Sequence, residues 1–263
     1  VAAERGIAVV PLQVVIDGVA RAEGSGIGPA EVADALRRHA PVSTSRPSPR
    51  AFLDAYESVA ALGAASVVSI HLSGSLSGTV EAARLAAKDA PLPVDVVDSR
   101  SLAMGLGFAV VAACDAADRG LAAVEVAAAA NSRAAASSAL FYVDTLDHLR
   151  RGGRVGVASA MVGTALAIKP LLRLVDGAIA PLEKVRTSAR AVARLEDLAV
   201  ELAGVVPVDV AVHHLDNEAR AQALADRLAG RLPRLGELVV SEVGAVIGAH
   251  VGPGLLAVVV SPR

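Results

Sequence analysis

The run Ser69-Ile70-His71-Leu72-Ser73-Gly74-Ser75-Leu76-Ser77-Gly78-Thr79 passes from an apolar approach, Val67 to Leu72, into a loop of glycine and serine and then into the helical spacing of Thr79 to Lys88. A short buried strand that opens into a Gly/Ser loop and at once into a helix is the repeating step of an α/β protein. The first backbone N–H groups of such a helix have no partner within it, and its dipole adds partial positive charge. With hydroxyls around them, these groups suit an oxyanion: a carboxylate, a phosphate, or the oxyanion of acyl transfer. The plain alternative is an ordinary capped connection.

Working outward, the alternation of strand and helix continues in both directions. Upstream, Val9 to Ile16 reads as a β-branched strand and Pro29 to His39 has helical spacing. Ser48-Pro49 has the form of an N-cap followed by proline in the first turn, with Phe52, Tyr56 and Val59 on one apolar face. Downstream, Val94 to Val97 is a strand ending at Asp98-Ser99, and two alanine-rich helices flank Gly120. Past residue 140 come a strand at Phe141 to Val143 and a helix from Leu146 that stops at Gly152-Gly153. Two strands, Leu171 to Val175 and Ala178 to Leu182, flank Asp176-Gly177, a type I′ hairpin signal. Helices at Ser188 to Leu202 and Asn217 to Leu228 then alternate with strands at Val208 to His213, Leu238 to Val243 and Leu255 to Val260. The expectation is two α/β domains, residues 1–140 and 141–263, each a sandwich over its own sheet.

Composition narrows the function classes. With 25 basic and 27 acidic residues the net charge is −2, and aromatics are 2% with no Trp, so neither a basic field nor stacking platforms point to nucleic acid. Mean hydropathy is high at +0.53. The most apolar stretch, Leu102 to Ala117, is nevertheless broken by Gly105, Gly107 and Asp115 and falls short of the ~20 residues of a membrane span. No stable membrane insertion is expected, and without a leader-like opening the expected location is the cytoplasm. Cys114 is the single cysteine, in an apolar run that suggests a buried, inert thiol, and a thiolate-rich metal site within the chain is excluded. No metal and no cofactor are expected. His71, His148 and His213 read as structural.

Four segments carry chemistry. Gly74-Ser75-Leu76-Ser77-Gly78 matches G-x-S-x-G in a strand–turn–helix setting, so a serine hydrolase using Ser75 is the alternative function, with Asp209, Asp216, His214 or His250 to complete a triad. Against it, no HGGG-type oxyanion motif lies upstream. The second segment is Ser43-Thr44-Ser45, three hydroxyls ahead of the Pro-stiffened turn Arg46-Pro47-Ser48-Pro49. The third is His250-Val251-Gly252-Pro253-Gly254, a sharp turn that allows close approach. The fourth is basic: Arg154, Lys169, Arg173 and Arg186, a solvated face by default and a docking surface for an acidic partner otherwise.

Together and in this order, these segments resemble the DegV family of fatty-acid-binding proteins, which includes the binding subunits of bacterial fatty acid kinase. The family's TSxPS turn appears as Thr44 to Ser48, its LSGT loop as Leu76 to Thr79, and its aspartate-serine strand end as Asp98-Ser99. The YVDTLxxLxxGGR segment is Tyr142 to Arg154, followed by Ile168 to Pro170, Asp176-Gly177, Lys184 to Arg186, and the H-x-GPG turn His250 to Gly254. The resemblance implies two α/β domains of the EDD type, with a long-chain fatty acid buried between or within them. It implies a carboxylate held by Ser43 or Thr44, by Ser73 with Gly74 and Ser75, and by His250, and a fatty acid kinase catalytic subunit as partner of a non-catalytic carrier. Two departures stand out. The family opens with a strand ending in Asp-Ser, so a truncated or divergent start is expected here, and its serine loop begins Ser-Ser where this chain has Ser73-Gly74.

Burying about fourteen methylenes at roughly 0.8 kcal/mol each gives on the order of 11 kcal/mol, much of it offset by ordering and association costs. The carboxylate cannot enter a dry tunnel unpaired. Hydroxyls and a helix start are expected to solve this without a fixed cation.

Overall fold

A computed structural model describes residues 2–161 and 169–263, the side chains of 159–161 excepted, so Ile168 of the Ile168–Pro170 segment lies outside the described residues. The chain divides into two units, each drawn from two stretches: Val1–Leu12 with Ser45–Ala135, and Gln13–Thr44 with Ala136–Arg263.

The first stretch of the second unit holds β1 (Gln13–Ile16), β2 (Val19–Ala22), α1 (Pro29–Arg37) and β3 (Val42–Ser45), the strands ordered β2-β1-β3. The strand expected from Val9 starts only at Gln13. Val9 is exposed, and Pro11 has no N–H to give to a ladder. α1 ends before His39, which takes a positive φ of 57°.

The first unit follows, with α2 (Pro49–Ala61), β4 (Val67–His71), α3 (Thr79–Ala87), β5 (Val94–Asp98), α4 (Met104–Asp118) and α5 (Ala123–Ala136). Ser48 caps α2 as the sequence suggests, accepting from Ala51 N at 3.3 Å. β4 and β5 pair in parallel, as a strand–helix–strand connection requires. Phe52 and Tyr56 of α2 pack with Ala82, Ala83 and Ala86 of α3 on one side. Val97 packs with Ala109, Ala113, Ala116, Val126 and Ala130 of α4 and α5 on the other.

The chain then returns to the second unit through β6 (Ser138–Tyr142), α6 (Asp147–Arg151), β7 (Lys169–Val175), β8 (Ala178–Val185), α7 (Ser188–Ala203), β9 (Val208–His214), α8 (Glu218–Arg231), β10 (Leu235–Glu242), α9 (Ala245–Val251) and β11 (Leu256–Pro262). Six strands order as β10-β9-β11-β6-β7-β8, with β10 and β9 parallel and each of the other neighbouring pairs antiparallel. The β7–β8 turn has φ of 50° at Asp176 and 79° at Gly177, the two positive values of a type I′ hairpin. Alternate residues Val208, Val210 and Val212 of β9 bury against Leu195 and Ala199 of α7 and Leu224 and Leu228 of α8, at period 2 and period 3.6 respectively.

Residues 13–44 belong with the C-terminal stretch because α1 packs on α9 and Glu23 accepts from Val246 N at 2.8 Å. A contiguous split at residue 140 differs from this division by that whole segment. The later border, at Ala135, lies five residues from the expected one.

Candidate functional site

On β3, side chains alternate, so Ser43 and Ser45 are exposed while Thr44 turns inward. α9 ends at Val251, and Gly252, with a φ of 76°, stops the helix two residues past His250. These two local rules bring Thr44 Oγ1 to 2.8 Å from His250 Nε2. The other ring nitrogen, Nδ1, is buried without a hydrogen-bond partner among the described residues. Burial, with help from the positive charge of Arg154, pushes the imidazole down to about 4, so it is neutral at physiological pH. A proton on Nδ1 would leave a buried donor without an acceptor, so the stable tautomer carries it on Nε2 and donates to Thr44. The Thr44 O–H is then free to donate to an anion.

Around this pair, the glycines of two sequence motifs serve each other. A β-carbon at Gly152 would overlap His250 Nδ1 and stand 2.8 Å from its Cε1, so the ring occupies the space that glycine leaves. In the same way His148 lies over Gly252 and Asp144 over Gly254. Asp144 also accepts from Tyr142 Oη and from Lys169 Nζ at 3.1 Å, and Tyr142 Oη lies 2.9 Å from Ser188 Oγ. Burial and the Asp144 carboxylate push the Tyr142 phenol up to about 12, so it remains a donor. Arg154, half-buried, donates to Gly152 O at 2.6 Å.

Ser73, Gly74 and Ser75 lie in the first unit. Ser73 is fully buried; its N–H donates to Ser101 O at 2.8 Å, and its Oγ accepts from Ser75 N at 3.2 Å. The Gly74 N–H donates to both carboxylate oxygens of Asp98, at 3.2 Å each. Asp98 also accepts from Arg100 N at 2.9 Å. A β-carbon at Gly74 would stand 2.8 Å from Asp98 Oδ2, which explains why glycine and not serine fits here. At the other end of the loop, Arg46 Nη1 donates to Gly78 O at 3.3 Å. This places an exposed guanidinium at the end of the loop that leads into α3.

The six expected carboxylate contacts thus divide between the units. Thr44 and His250 meet, Ser43 faces solvent, and Ser73 to Ser75 form a separate loop. Sequence reasoning missed Asp98, Asp144 and Arg46 as site neighbours. Arg46 could have been suspected from its place inside a proline-stiffened turn. The four basic residues also separate: Arg154 adjoins His250, Lys169 pairs with Asp144, and Arg173 and Arg186 are exposed.

The triad reading of Ser75 gains no support from these contacts. The one histidine of its unit, His71, is buried with Nε2 2.8 Å from Ser69 Oγ and is pushed down to about 4 by burial. The four proposed partners belong to the other unit, where Asp209 is bound by Arg263, Asp216 by Arg37 and His250 by Thr44. His213 is buried, likewise held down to about 4, and 3.0 Å from Ser241 Oγ. Cys114 is half-buried where full burial was expected; desolvation raises its pKa, which keeps it a thiol. Among the described residues, no group of three or more His, Cys, Asp and Glu could hold a metal ion, and no helix is long and apolar enough to cross a membrane.

Comparison with known proteins gives a consistent picture. A family model described as "Uncharacterised protein, DegV family" matches residues 1–263. A DegV domain-containing protein of Streptomyces coelicolor is 57% identical over 258 residues, 98% of this chain and 92% of the relative. Among solved structures, one described as fatty acid binding by a DegV family protein from Thermus thermophilus superimposes with a TM-score of 0.93 at 33% identity, covering 100% of this chain and 94% of the other. DegV from Bacillus subtilis, described as a fatty acid binding protein, gives 0.91 at 30% identity with the same coverages.

Proposed function

The chain belongs to the DegV family, and on that premise we propose that it binds a long-chain fatty acid in a buried tunnel. The observation that carries this reading is the Thr44–His250 pair: a neutral imidazole that directs a threonine hydroxyl outward as a donor. In this reading Thr44 and His250 hold the carboxylate, and the hydroxyl-bearing segments Ser43 and Ser73–Gly74–Ser75 are the further candidates for it. Asp98 already occupies the Gly74 N–H, so the serine hydroxyls are the loop's donors to the ligand. Fatty acid binding described for solved relatives at 30% identity or more supports the ligand class.

Protein purified from a bacterial host and extracted under denaturing conditions should yield about one fatty acid per chain by mass spectrometry, without added ligand. A lipid-free preparation that also ignores added palmitate or oleate would overturn the proposal.

The carrier reading extends to a partner. In this reading the bound acid is presented to a fatty acid kinase catalytic subunit, which transfers the γ-phosphoryl of ATP to a carboxylate oxygen and releases ADP. Exposed Arg173 and Arg186 form the docking face, while Lys169 and Arg154 are engaged beside the head group. Charge reversal at Arg173 and Arg186 together should leave palmitate affinity within about twofold and slow kinase-dependent phosphorylation, chiefly through association and hence more at low salt. Equal loss of binding and phosphorylation would place these residues with the ligand.

A further inference from the structure

We propose that Arg46 is the countercharge that makes the serine loop select an ionised head group. This rests on the fatty-acid reading above and names the residue within it that senses charge. The loop carries a fixed anion at its start, because Asp98 binds the Gly74 N–H through both oxygens. A second carboxylate arriving at Ser73 or Ser75 meets that charge and is repelled by it. At the loop's end, the Arg46 guanidinium donates to Gly78 O. The guanidinium lies in the space that glycine leaves: a β-carbon at Gly78 would overlap Nη1 and stand 3.0 Å from Cζ and 3.2 Å from Cδ, so a side chain there would displace the end of Arg46. Gly78 is the residue preceding α3 and has an ordinary φ of −73°, so its lack of a side chain answers no backbone need. What it provides is a seat for Arg46. Asp98 and Arg46 thus put one charge of each sign at the two ends of the loop, and removing Arg46 leaves its balance one unit more negative. Arg46 is exposed, so its effect is screened by salt.

The test uses the full chain and measures Kd for palmitate and for hexadecanol at about 20 mM and about 500 mM salt. Arg46→Gln should weaken palmitate about 3- to 10-fold at the lower salt, leave hexadecanol unchanged, and show less of the wild type's salt dependence. Gly78→Ala keeps the charge but unseats it, and should give a smaller loss for palmitate alone with an unchanged Tm. Arg46→Lys should restore part of the affinity. If Arg46→Gln binds palmitate as the wild type does, or loses acid and alcohol equally, the proposal is overturned while the fatty-acid reading stands. If the wild type itself binds no palmitate, both fall together.

Discussion

Replacing Thr44 by valine should weaken fatty-acid binding about 10- to 150-fold and leave binding of the alcohol of equal chain length nearly unchanged. Valine keeps the branched shape on β3 but deletes the hydroxyl that lies 2.8 Å from His250 Nε2. A hydrogen bond to a charged group contributes roughly 1.5–3 kcal/mol, and an alcohol offers no full charge to stabilise. His250→Ala should cost a comparable factor, and the double variant should lose less than the sum of the two, because the imidazole acts on the ligand partly through the threonine. Ser73→Ala is a weaker probe than its sequence position suggests. Its Oγ also accepts from Ser75 N, so a loss there mixes a missing ligand contact with a loosened loop. Isothermal titration of acid and alcohol on all variants gives the answer. Equal losses for both ligands would mean that Thr44 shapes the tunnel and does not hold the carboxylate.

Adding one methyl group at Gly152 should do nearly as much damage as removing His250. The β-carbon would overlap Nδ1, so the ring must swing away from its seat and from Thr44. Gly152 has an ordinary φ of −74° at the end of α6, so alanine puts no strain on the backbone there. Gly152→Ala is therefore expected to fold with Tm within a few degrees of the wild type and to bind palmitate about 10- to 100-fold more weakly. Combining it with His250→Ala should add little, since the clash disappears with the ring. A Gly152→Ala protein with wild-type affinity would show that His250 does not act from this position.

Much of the architecture could be read directly because local physics decides it. The Asp176-Gly177 hairpin, the Ser48 cap and the alternate valines of β9 each follow from a rule that spans a few residues. β3 was missed because Val42-Ser43-Thr44-Ser45 is short and polar, and α9 because seven residues containing Gly248 show too little periodicity. The pairing of Thr44 with His250 has no local signal at all. Only the order of motifs along the chain hinted at it, and the same holds for the seats that Gly152 and Gly78 provide to side chains distant in sequence. Charged residues were assigned to solvent or a partner by default, which concealed that Arg46 and Arg154 lie against site loops.

The exchange of residues 13–44 into the C-terminal unit also sets a schedule for synthesis on the ribosome. α1 leaves the exit tunnel early, but its packing partner α9 is translated roughly 200 residues later, which at about 5–20 residues per second is a delay of roughly 10–40 s. During that interval Val32, Ala33, Ala35 and Leu36, all buried in the finished protein, lack α9 as a packing partner. Meanwhile the stretch from Ser45 to Ala135 is already complete. The nascent chain therefore carries a sticky amphipathic helix ahead of a finished neighbour, a natural binding target for a chaperone that holds early segments until the C-terminus arrives.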